Sequence, residues 1–155
     1  MRITKLQIVL LSAATLLIVL LFLIPTKPSL EEVKIQASVD AKIDSAIAMV
    51  NSGSPMQGIF LLRELSEEHP DNMRIQLNLG MFSVQSGQID KAEARFQTVL
   101  KNVPNQPEAL YFMGYIEAGK GNKELALDYL QKALEFAQDD ALKQDIEQYL
   151  KELNS

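Results

Sequence analysis

Few residues in this chain could do chemistry. His69 is the only imidazole, and the run Glu67-Glu68-His69-Pro70-Asp71 places carboxylates on both sides of it, a mixture that divalent metals use. One histidine with no cysteine anywhere is a poor transition-metal set, so the run reads as a solvated helix end before Pro70. Gly119-Lys120-Gly121-Asn122 has the glycines and lysine of a phosphate loop, but lacks the Walker spacing and the preceding strand. Asp139-Asp140 reads as a helix cap, not as a general acid and base. The absence of Cys removes thiol nucleophiles, disulfides, Cys-ligated metals and lipid attachment to Cys. The expectation is therefore no enzyme, no catalytic residue, no cofactor and no metal: a chain that works by binding.

Of its 155 residues, 47% are apolar and 23% charged, with a net charge of −5. All the basic residues except Arg2 and Lys5, and every acidic residue, lie beyond residue 24. That part is more acidic than the chain as a whole, which argues against nucleic acid as a partner. The 19 residues from Leu6 to Ile24 carry no charge, and as a helix they would span about 28 Å, enough for a bilayer core. The run is longer than the apolar region of a cleaved signal, and Phe22-Leu23-Ile24-Pro25-Thr26-Lys27 offers no small-residue cleavage site. A retained anchor at 6–24 is the expectation. Arg2 and Lys5 then place residues 1–5 in the cytoplasm and the rest on the far side of the inner membrane, in the periplasm.

The elements that position any binding surface emerge beyond Pro25 and Pro28, which end the apolar run. Ser29 and Glu32 have the spacing of a capping box and predict a new helix within a spacer at 25–38. From there the chain repeats itself at an offset of 34 residues. Gly80 recurs as Gly114, Gly87 as Gly121, Ala92 as Ala126 and Leu100 as Leu134. One step back, Ala46, Gly53, Gly58 and Pro70 answer Gly80, Gly87, Ala92 and Pro104. In this pattern the chain resembles the tetratricopeptide repeat (TPR) family, of the membrane-anchored bacterial type. The resemblance implies an all-α fold: an N-terminal transmembrane helix, then a three-repeat superhelix over 39–140 (39–72, 73–106 and 107–140) with a capping helix at 141–155. Two departures stand out. Gln76 and Leu110 occupy positions where an aromatic is usual, and the third copy lacks its closing Pro. In the last segment Leu142, Ile146, Leu150 and Leu153 form an apolar stripe.

In this family the first helix of each repeat builds the concave wall. Carried onto this sequence, the partner-binding positions are Ile43, Ile47 and Val50, then Leu77, Asn78, Met81 and Val84, then Tyr111 and Tyr115, with Ala118 beside them. Some relatives hold a partner's terminal carboxylate there. Here Ile43, Ile47, Glu108 and Phe112 replace most of the matching residues and only Asn78 remains, so the resemblance implies an apolar segment instead. Asp40, Asp44, Glu108 and Glu117 near the rim favour a basic or neutral ligand. The expected function is a non-catalytic scaffold that recruits a protein partner to an envelope complex. The alternatives are a chaperone-like holdase using the same groove, or a structural homo-oligomer joined through Ser12-Ala13-Ala14-Thr15 and the terminal helix.

Overall fold

The computed structural model describes residues 29–154; the expected cytoplasmic residues 1–5, the anchor at 6–24 and the first part of the spacer lie outside the described residues. Seven helices occur among the described residues: α1 Leu30–Asn51, α2 Pro55–Glu68, α3 Met73–Gln85, α4 Ile89–Asn102, α5 Pro107–Gly119, α6 Lys123–Phe136 and α7 Asp140–Asn154. No described helix is long and apolar enough to cross a membrane. The chain divides after Ser38 into two compact units. Of the first unit only residues 29–38 are described, and they open α1. There the Ser29 N–H donates to Glu32 Oε2 at 2.6 Å and the Glu32 N–H donates to Ser29 Oγ at 3.2 Å, the reciprocal box that starts a helix.

In the second unit the helices pair as α1 with α2, α3 with α4 and α5 with α6. The turns inside the pairs are set by glycine. Gly87 has φ +71°, its N–H donates to the Val84 carbonyl at 3.0 Å, and the Gln88 N–H donates to the Ser83 carbonyl at 2.8 Å. This is a Schellman closure, which needs a left-handed residue that only glycine supplies without strain. Gly121 repeats it, with φ +85° and the Asn122 N–H on the Glu117 carbonyl at 2.9 Å. Starts are equally local. Asn72 Oδ1 accepts from the Ile75 N–H at 3.2 Å, Asp139 Oδ1 accepts from the Leu142 N–H at 2.9 Å, and Pro55 and Pro107 occupy first turns.

Small residues then let the paired helices close. A Cβ on Gly58 would collide with the Ala46 carbonyl oxygen, and one on Gly114 would lie 2.7 Å from Leu130 Cγ. The core is a row of three clusters, each sealed by the first helix of the next pair. Ile75 and Leu79 of α3 close the cluster of Val39, Ile43, Ala46, Leu62 and Leu65. Ala109, Met113 and Ile116 of α5 close that of Ala92, Phe96 and Val99. Ile146 of α7 closes that of Leu110, Leu130, Ala133 and Ala137. Each repeat thus depends on its neighbour for burial, as in any stacked array.

Gln76 shows why an aromatic is dispensable at its position. It is 6% exposed. Its Nε2 donates to the Pro70 carbonyl at 2.6 Å and to Ser66 Oγ at 3.1 Å, and its Oε1 accepts from Arg95 at 2.8 Å. A buried amide is tolerated because both ends are bonded.

Candidate functional site

The first helices α1, α3 and α5 present the residues expected to bind a partner. Ile43 departs from that expectation: it is fully buried among Val39, Leu62 and Ile75, so it belongs to the core and is not available at a groove wall. The cause is α3, which packs over α1 and seals it. The others are half-buried. Ile47 packs on the first core cluster, Leu77, Met81 and Val84 on the second, and Tyr111 on the third, while Val50 is half-buried on the last turn of α1. Asn78 is also half-buried, and its side-chain amide donates to the Arg74 carbonyl at 2.7 Å, within its own helix. Tyr115 stands apart at 43% exposure.

The acidic rim is largely consumed by internal partners. Arg74 reaches from α3 to α1 and binds Asp40 at 3.2 Å and Asp44 at 2.5 Å. The hydrogen bond to Asp44 leads in holding the guanidinium above its usual pKa. Glu117 is 5% exposed and accepts from Asn122 Nδ2 at 2.7 Å and Lys120 Nζ at 2.9 Å, which hold its carboxyl below the usual range. Glu108 accepts from the Gln106 amide. Of the four acids expected to attract a basic ligand, Asp40, Asp44 and Glu117 therefore tie helices and turns together, and Glu108 sits beside a helix start.

Negative charge at the site comes instead from α7, the helix expected as a C-terminal cap. The connection Ala137–Asp139 is one residue shorter than Val103–Gln106, so α7 follows α5 at an offset of 33. On that register Asp139 matches the cap residue Gln106, and Ile146 matches Met113 and Leu79 in the core. α7 thus stands where the first helix of a fourth repeat would stand, and Asp145 and Gln148 fall on the face that bears Phe112 and Tyr115. Tyr149, which the 34-residue offset puts in phase with Tyr115, brings its ring to 6.3 Å from Tyr111 and 5.8 Å from Tyr115. A cavity of about 190 Å³ lies between Tyr111, Asp145, Gln148, Tyr149 and Glu152. Burial, then the charge of Asp145, raises the Tyr111 phenol, and burial followed by Tyr115 raises that of Tyr149. Aromatic faces beside carboxylates suit an alkylammonium or guanidinium group.

The residues first considered for chemistry lie elsewhere. The His69 N–H donates to the Leu65 carbonyl at 2.8 Å and its carbonyl accepts from the Asn72 N–H at 3.1 Å, so it closes α2. Lys120, in the glycine-flanked run, forms ion pairs with Glu93 of α4 at 2.8 Å and with Glu117 of α5 at 2.9 Å, tying the α5–α6 turn to both helices. Asp139 caps α7.

Comparison with known proteins agrees with this geometry. Residues 83–141 match the family model described as tetratricopeptide repeat. Among solved structures, MamA 41-end from Desulfovibrio magneticus RS-1 aligns with a TM-score of 0.62 at 19% identity, covering 75% of this chain and 64% of that one. A MamA RS-1 ArsTM double mutant aligns at 0.61 with the same identity and coverage. YrrB, described as a TPR protein with an unusual peptide-binding site, aligns at 0.58 and 24% identity, covering 71% of this chain and 57% of its own. The chain thus spans less than two thirds of each of these three structures. At these identities the likeness shows the fold, which is that of the tetratricopeptide repeat. No curated protein matches the chain.

Proposed function

We propose that this chain is a non-catalytic scaffold that binds a segment of a partner protein along the face of α1, α3, α5 and α7, tethered to the inner membrane by residues 6–24 with its repeats in the periplasm. The observation that carries the reading is Tyr115, a large ring left 43% exposed on that face and backed by Tyr149 at 5.8 Å. Exposed aromatics on a rigid helical surface are the usual anchors of a protein interface. The repeat fold supports it, as does the description of YrrB as having a peptide-binding site. The half-buried Leu77, Met81 and Val84 supply an apolar floor for the middle of the segment. At the α7 end, Asp145 and Glu152 beside the tyrosines fit a Lys or Arg side chain of the same segment. The uncharged run from Leu6 to Ile24 supports the tether.

Photo-crosslinking in native membranes tests this. A probe amino acid at Tyr115 is expected to yield one discrete product, and a control probe at the exposed Gln131 of α6 none. A ladder of products from Tyr115 would transfer the face to a holdase, and no product would overturn the groove reading. Release of the full chain by alkaline carbonate would overturn the tether.

A further inference from the structure

A second cavity, of about 300 Å³, opens away from the groove between α2 and the α3–α4 pair. Ile59, Leu79 and Phe82 give it an apolar floor, and Arg63, Lys91 and Arg95 surround it with no carboxylate in the lining. In a chain of net charge −5 this is a local reversal of sign. Among the described residues, Arg74, Lys120, Lys132 and Lys143 form ion pairs, whereas none of these three cations does. Two of them are held instead by neutral groups. Arg95 donates to Gln76 Oε1 at 2.8 Å, and Lys91 donates to Gln88 Oε1 at 2.7 Å. Burial first, and then the like charge of Arg63, lowers the pKa of the Arg95 guanidinium, so an anion placed here would relieve an existing cost.

The apolar surface does not stop at the cavity. Met56, at 58% exposure, lines the cavity, and Phe60, at 60%, follows it on the same face of α2, with Arg63 one turn further on. A bare inorganic anion would leave that surface wet, whereas an extended protein segment would cover it. We infer that this cavity is a second docking site, for a carboxylate-bearing segment of a partner protein that seats an apolar side chain against Ile59 and Phe82 and sets its carboxylates against Arg63, Lys91 and Arg95. Its chemistry is opposite in sign to that of the groove end, so one scaffold would hold two different segments.

The test titrates the full chain in mild detergent with acetyl-Glu-Leu-Glu-Phe-amide and follows the backbone amide resonances of Arg63, Ser86 and Arg95. Saturable shifts of these amides are expected. Charge reversal at the exposed Arg63 and Lys91 together should weaken binding by about tenfold or more, and Tyr115→Lys should leave it unchanged. Arg63→Gln, a milder change, should weaken it in the same direction while thermal unfolding stays as in the parent. Replacing both Glu residues of the peptide by Gln should weaken binding by about tenfold. No saturable shift, equal binding of the Gln peptide, or inorganic phosphate reproducing the shifts at the same concentration would overturn the inference. Shifts centred on Tyr115 would overturn it too, because they would return the peptide to the groove.

Discussion

The backbone of Gly80 lies so close to Phe96 that a Cβ placed on it would sit 2.6 Å from the ring. Helices α3 and α4 therefore meet through bare backbone on one side and a fully buried aromatic on the other, and that ring is itself stacked on Phe112 of α5 at 5.1 Å. One contact thus joins a repeat to the next.

Gly80→Ala gains about 1 kcal/mol of helix propensity but forces the Phe96 ring into Phe112. Overpacking of this kind costs about 1 to 3 kcal/mol, so the expected result is a lower melting temperature, and a lower one still for Gly80→Leu. Gly80→Ala combined with Phe96→Leu, the residue type at Leu130 in the next pair, should recover part of the loss. Additive effects in thermal unfolding of the two single changes would contradict direct contact.

Ile43→Ala should cost about 2 to 5 kcal/mol, because Ile43 is fully buried. Tyr115→Lys should change stability by less than about 0.5 kcal/mol yet abolish the product of a probe moved to the neighbouring Ala118. Chemical denaturation of both variants separates core from site. A destabilised Tyr115→Lys with a stable Ile43→Ala would reverse the assignment.

Gln76→Leu removes the acceptor of Arg95 and the donor to the Pro70 carbonyl. Leaving buried partners unbonded costs about 1 to 3 kcal/mol, although leucine occupies the equivalent position 110 in the next repeat. A neutral or stabilising result would show that Arg95 and Pro70 reach water when the amide is gone.

Glu117 carries a pH prediction. Its folded pKa is lowered, by Asn122 first and Lys120 next, so its contribution is complete above the unfolded value and is lost as pH falls through the folded one. From about pH 4.5 downward the parent should lose stability that Glu117→Gln does not lose. Parallel melting curves for the two across that range would remove Glu117 from the account.

Much of the repeat region was legible in the order of residues. Turn glycines, cap residues and small contact positions act through the backbone within a few residues, where steric rules leave one solution. Gly87 must lie in a left-handed turn, and Ser29 and Glu32 cap the helix that they begin. The stripe of Leu142, Ile146, Leu150 and Leu153 marked α7 as an amphipathic helix before its neighbours were known, because helical periodicity is local as well.

The working surface was less legible, because it depends on which helix lies beside which. Ile43 looked like a wall residue until α3 covered it, and Asp40 and Asp44 looked like a charged rim until Arg74 crossed from the next repeat. Tyr149 joined the site only because α7 packs beside α5 and brings that ring to Tyr111 and Tyr115. Helix, turn and repeat follow from local sterics and periodicity, and so were readable along the chain alone. Exposure, charge pairing and the meeting of Tyr111, Tyr115 and Tyr149 are sums over residues distant in the chain, and only the tertiary packing decided them.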